Sequence, residues 1–124
     1  MTTGIHHVAV RVADLEHSIA FYERHFGLRT ASRDTLASGA RIAFLGHPDG
    51  GAQLELIAGL ADHHPGDGLV HHVAFRVADV AATFDRLHEA GVPLIEDAPQ
   101  TLANGRQLFS CRGPDGERLQ VVSG

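Results

Sequence analysis

The chain has no lysine and no tryptophan, one cysteine, and aromatic residues at only 6% of 124 positions. Each shortage excludes something. A single cysteine, Cys111, cannot close an internal disulfide, which fits a reducing cytoplasm. No apolar run reaches membrane length, and the N-terminus passes from Met1 directly into patterned sequence, so no signal peptide is expected. A formal charge of −5 argues against a nucleic-acid partner. The shortage of aromatics argues against a large stacking pocket. No glycine-rich phosphate cradle and no nucleophile with a neighbouring base stand out. All basic residues being arginine reads as coding bias and not as function.

What is present is a stretch written twice. Residues 6–14 read His-His-Val-Ala-Val-Arg-Val-Ala-Asp, and residues 71–79 differ only in having Phe75 for Val10. The offset is 65 (71 − 6), about half the chain, so one structural unit occurs twice. Alternation predicts a strand over 5–12, with Val8, Val10 and Val12 on one face and His7, Ala9 and Arg11 on the other. Asp14 caps a helix with Leu15, Ile19, Tyr22 and Phe26 on one side, ended by Gly27. Strands follow at 28–36, 40–45 and 52–57, the last two joined by the Pro48-Asp49-Gly50-Gly51 turn. Residues 59–68 read as a linker. The pattern restarts with a strand over 69–77, a helix capped by Asp79 and ended by Gly91, and strands at 92–96, 106–112 and 118–122. Pro114-Asp115-Gly116 repeats the earlier turn. Residues 97–105 form a longer loop that could overhang a site. Each half is therefore strand–helix–strand–strand–strand, with modules over 5–58 and 69–123.

Strand parity isolates the chemistry. His7, Ala9 and Arg11 share a face, as do His72, Ala74 and Arg76. Glu55 sits opposite Leu54 and Leu56, and Gln120 opposite Leu119 and Val121. Glu55 and Gln120 are again 65 apart. Modules related by a pseudo-two-fold would gather His7, Glu55, His72 and Gln120 into one cavity. Two imidazoles, a carboxylate and an amide oxygen suit a divalent first-row metal. The plain alternative is a set of hydrogen-bonded strand residues on an inherited scaffold. His6 and His71 have the opposite parity; they are expected to be structural, with an entrance or supporting role as the alternative. His63 and His64 read as a solvated linker pair, and Cys111 as a small packing residue.

Ile5-His6-His7-Val8-Ala9-Val10-Arg11-Val12-Ala13-Asp14, Ser18-Ile19-Ala20-Phe21-Tyr22, Phe26-Gly27-Leu28, Leu54-Glu55-Leu56, Gly113-Pro114-Asp115-Gly116 and Leu119-Gln120-Val121 together resemble the vicinal oxygen chelate superfamily, the glyoxalase I, bleomycin-resistance and extradiol dioxygenase group. The resemblance covers nearly the whole chain. It implies an α+β fold in which two tandem βαβββ modules form an open, cup-shaped, eight-stranded half-barrel with the helices outside. It implies metal ligands at His7, Glu55, His72 and Gln120, and a divalent transition metal: Zn, Ni, Co, Mn or Fe(II). Arg11 resembles an anion anchor for substrate, and Arg76 shares its face. Glyoxalase I and methylmalonyl-CoA epimerase usually carry Glu at the last ligand position, whereas here it is Gln120, so Glu55 becomes the candidate base.

The leading expectation is a metal-dependent glyoxalase- or epimerase-like lyase or isomerase, acting on a small substrate that chelates the metal through vicinal oxygens. The alternatives are an Fe(II) extradiol-type dioxygenase and a metal-free protein that sequesters a small molecule. A cytoplasmic homodimer with a small-molecule substrate, and with no nucleic-acid or membrane partner, completes the reading.

Overall fold

The computed structural model describes residues 1, 3, 5–60 and 70–124. Most of the expected linker, with His63 and His64, lies outside the described residues, as does Leu69 at the expected start of the fifth strand. The chain divides into two compact units, Met1–His64 and Pro65–Gly124.

The first unit runs β1 (His7–Val12), α1 (Leu15–Phe26), β2 (Arg29–Thr35), β3 (Arg41–Gly46) and β4 (Gln53–Ala58). Its sheet has the order β1-β4-β3-β2. β1 and β4 are parallel, and the other pairs are antiparallel. The second unit runs β5 (Val73–Val77), α2 (Val80–Glu89), β6 (Gln100–Thr101), β7 (Gln107–Arg112) and β8 (Arg118–Ser123). Its order, β5-β8-β7-β6, repeats the first, with β5 and β8 parallel. The fold is α+β, with two open, mixed four-stranded sheets and one main helix per unit.

The helices begin and end where the sequence places the signals. The Asp14 carboxylate accepts from the His17 amide at 3.0 Å, and the Asp79 carboxylate from the Ala82 amide at 2.9 Å. These bonds satisfy donors that the first turn leaves unpaired. Gly27 and Gly91 adopt φ of 70° and 79°, the left-handed conformation that lets the chain leave a helix. Leu15, Ile19 and Tyr22 are buried against the first sheet's Leu45, Leu54 and Leu56, while Phe26 is only half-buried. In the second unit Val80 and Leu87 are buried with Phe109, Leu119 and Val121. Phe84 is half-buried and stands edge-on to Phe109, ring centroids 5.1 Å apart.

Three expectations need correction. Residues 92–96 are not a strand. Leu94 forms only an isolated bridge with Cys111. Pro93 has no N–H to donate, and the Ser110 amide donates to the Glu96 carboxylate at 2.6 Å instead of to a strand carbonyl, so the ladder stops there. The second module's third element is β6, at Gln100–Thr101, inside the stretch read as a loop. It pairs antiparallel with β7. The fifth strand is also shorter than expected and begins at Val73. Among the described residues no helix is long and apolar enough to cross a membrane.

Candidate metal centre

The alternation in β1 and β4 decides which side chains leave the core. Val12, Leu54, Leu56 and Ala58 are buried, whereas His7, Ala9 and Arg11 are exposed and Glu55 is half-buried between its leucines. Parallel pairing sets His7 opposite Gln53 and Ala9 opposite Glu55. Ala9 has almost no side chain there, so His7 and Glu55 meet across it. The separation from His7 Nε2 to Glu55 Oε1 is 3.4 Å. The Glu55 side chain is 13% exposed and that of His7 37%, so the carboxylate sits deeper than the ring.

The imidazole of His7 is held on two further sides. Its Nδ1 lies 2.9 Å from Nδ1 of His6. Its ring meets Phe44 edge to face, centroids 5.2 Å apart and planes at 88°. Phe44 stands in this position because β3 pairs it with Glu55.

The second unit repeats the plan with two changes. β5 and β8 pair Ala74 with Gln120, as β1 and β4 pair Ala9 with Glu55. His72 and Arg76 are exposed and Gln120 is half-buried. Nδ1 of His72 lies 3.0 Å from Nδ1 of His71. The first change is the amide in place of the carboxylate. The second is a shift of one residue. The Pro-Asp-Gly turns are 66 apart (114 − 48), while β4 and β8 begin 65 apart (118 − 53). The first turn thus carries one extra residue before its last strand. Ser110, not Phe109, therefore takes the place of Phe44 and pairs with Gln120. Ser110 is buried, and no aromatic residue of β7 is paired with Gln120.

The donors of the first unit fit a divalent cation. Zinc–nitrogen and zinc–oxygen bonds of about 2.1 Å, spanning a tetrahedral angle, need donors about 3.4 Å apart. His7 Nε2 and Glu55 Oε1 already have that spacing. Among the described residues no group of three or more His, Cys, Asp or Glu side chains that could hold a metal is assembled. The structure therefore brings His7 and Glu55 together, and gives His72 and Gln120 the corresponding places on their own sheet.

Two arginines not anticipated for the site flank the second sheet's equivalent region. Arg112 and Arg118 are cross-strand partners, and Arg112 donates to the Gly116 carbonyl at 3.1 Å. The Nε of Arg118 is buried with no hydrogen-bond partner. The ring contacts of His6, His71 and Phe44 also escape a parity rule, which sorts residues by face and says nothing of neighbours along or across strands. The signal for the two histidines was their repetition at the same offset as His7 and His72.

The family model for the glyoxalase/bleomycin resistance protein/dioxygenase superfamily matches residues 4–121. The chain belongs to this superfamily. A Bacillus subtilis relative, YwbC, is 36% identical over 122 residues, covering 97% of each chain. An ethylmalonyl-CoA/methylmalonyl-CoA epimerase of Cereibacter sphaeroides is 32% identical over 120 residues, covering 88% of this chain and 87% of the epimerase. A probable lactoylglutathione lyase of Vibrio cholerae is 29% identical over 121 residues, covering 94% and 87%. The superfamily's relatives of this chain thus include isomerases and lyases.

Proposed function

We propose that this superfamily member is a metal-dependent lyase or isomerase of the glyoxalase/epimerase type, acting on a small substrate through two neighbouring oxygens. The observation that carries the reading is the 3.4 Å spacing of His7 Nε2 and Glu55 Oε1, the bite of a chelated divalent ion. His7 and Glu55 from the first module, with His72 and Gln120 from the second, supply the ligands. The repeated register of Ala9 with Glu55 and of Ala74 with Gln120 supports that set. The metal is Zn, Ni, Co, Mn or Fe(II), since imidazole, carboxylate and amide oxygen accept them all. The two modules act together as one domain over 1–124, in a cytoplasmic homodimer.

A cation so held supplies Lewis acidity toward a substrate oxyanion. The rest falls to the chain. Glu55 takes the proton from the carbon beside the substrate's carbonyl and returns it to the neighbouring or the same carbon. A positioned base of this kind contributes ~10²–10⁴ in rate. Gln120 cannot take that part, because an amide accepts no proton as a carboxylate does. Arg11 and Arg76, on the ligand face of their strands, orient an anionic substrate group.

The test is the metal content of untagged protein, beside His7→Ala and His72→Ala. About one divalent ion per chain, lost in both variants, is the expected result. Glu55→Gln should abolish turnover of acyl-CoA thioesters or dicarbonyl adducts, and an unchanged kcat would remove Glu55 as the base. No metal in the wild-type chain, even after reconstitution, would move the weight to a sequestering protein. A second reading keeps His7, His72 and Glu55 as a facial triad on Fe(II), with Gln120 unligated. Glu55 as the sole carboxylate among the four favours it, and oxygen consumption with a catechol would establish it.

A further inference from the structure

His6 and His71 stand outside the proposed ligand set, yet each makes the same contact in its own unit. His6 Nδ1 to His7 Nδ1 is 2.9 Å, with ring centroids 5.1 Å apart and planes at 83°. His71 Nδ1 to His72 Nδ1 is 3.0 Å, with centroids 5.2 Å apart and planes at 84°. Consecutive strand residues point to opposite faces. Nδ1, the ring nitrogen nearer the backbone, is the atom through which such neighbours can still meet. In the first unit the backbone fixes the pair as well, since the Gln53 amide donates to the His6 carbonyl at 3.0 Å.

A bond between two nitrogens needs one donor and one acceptor, so a pair of neutral imidazoles can hold it in two ways. In the first, His6 donates, and His7 carries its proton on Nε2, facing Glu55. In the second, His7 donates through Nδ1 and His6 accepts, leaving Nε2 of His7 as a bare lone pair. Only the second arrangement can ligate through Nε2. The Glu55 carboxylate 3.4 Å away favours the first while no cation lies between them.

We infer that His6 and His71 are positioning residues. Each accepts from Nδ1 of the histidine that follows it, and so fixes the ring and the tautomer that presents Nε2 to a divalent metal. The inference rests on the reading of His7 and His72 as ligands. A cation held at Nε2 of the ligand histidine would require that ring's proton on Nδ1, so the neighbouring histidine would accept through its own Nδ1. Partners of this sort typically contribute 10–100-fold to metal affinity.

The substitutions follow from the shape of the acceptor. The Oδ1 of Asp occupies nearly the place of histidine Nδ1 and can only accept, whereas Phe keeps the ring and loses the bond. Zinc affinity, read by competition with a chromophoric chelator, should fall about 10–100-fold in His6→Phe and in His71→Phe. His6→Asp should hold wild-type affinity or exceed it. A second readout needs no metal. ¹⁵N NMR of the metal-free chain should find His7 protonated on Nδ1 in His6→Asp and on Nε2 in His6→Phe. Zinc binding lost in His7→Ala but unchanged in both Phe variants would overturn the positioning role alone. Zinc binding unaffected by His7→Ala, or absent from the wild-type chain, would overturn the ligand reading and this inference with it.

Discussion

Cys111 shows how one residue's surroundings decide its chemistry. It is fully buried in β7, and burial first, then the charges of Glu117 and Glu96, push its thiol up to about 12 from an ordinary 9.0. The thiol is therefore a packing group and a poor nucleophile. The consequence for stability has a definite sign. Above the unfolded thiol's range the unfolded chain loses this proton while the native chain keeps it, so the native state binds more protons and stability falls as pH rises. Below about pH 9 the thiol makes no difference. Between about 9 and 12 the unfolding free energy should decline, and Cys111→Ala should flatten this decline in urea titrations across that range. The role of Cys111 was legible in the sequence because a lone cysteine has no second cysteine to bond with, and a small side chain within a strand most often packs. The pairing of His6 with His7 was not, because ring-to-ring bonds between adjacent residues depend on side-chain torsions that alternation does not encode.

At the scale of elements, parity and capping carried most of the information. β1, β4, β5 and β8 expose and bury the residues that alternation assigns, because each sheet covers its helix with one face only. Asp14, Asp79, Gly27 and Gly91 mark the helix ends for local reasons that a sequence displays. The failure lies at 92–96, where an apolar run has the look of a strand. There a side chain has replaced a backbone acceptor: the Ser110 amide is satisfied by Glu96, not by a ladder carbonyl. Side-chain substitution for a ladder partner leaves no periodic trace. The bond makes a prediction. Glu96→Ala strands a part-buried donor and should destabilise the chain by about 1–3 kcal/mol, measured by chemical denaturation. Asp79→Ala, which removes an exposed cap, should cost about 0.5–2 kcal/mol. The one-residue shift between the Pro-Asp-Gly turns is a second feature at this scale. Phe44 and Ser110 exchange roles through it, although an offset of 65 makes Phe44 and Phe109 look equivalent.

For the whole molecule, the doubled sequence gave the doubled architecture directly: two units, each with the strand order first-fourth-third-second. Each sheet ends in strands with an unpaired side within its own order, and such edges are sites at which another chain can dock. The proposed homodimer makes sedimentation equilibrium decisive, with an expected mass of twice 13.2 kDa. A mass of one chain at working concentration would refute the dimer without touching the metal reading. The duplication also explains why family membership could be read early, since two imperfect copies of one motif constrain each other. Specificity was not legible in the same way. Arg112 and Arg118, for example, have no counterpart that the first module repeats: Gly46 and Gln53 stand in their places.

The parallel joining of β1 to β4 also governs the order of events during folding. Antiparallel neighbours such as β3 and β4 can zip from a tight turn, but β1 must wait for a partner 46 residues away (53 − 7). Such distant closures are slow, because the entropy of the intervening loop is lost before the contact repays it. His7 and Glu55 are brought together by that closure and by nothing earlier. On a growing polypeptide the helix and the β2–β3 hairpin can form first, and the His7–Glu55 pair appears only once the last strand of its unit has emerged. A cation captured there would act as a latch on a finished sheet, slowing its opening and leaving the speed of its assembly unchanged.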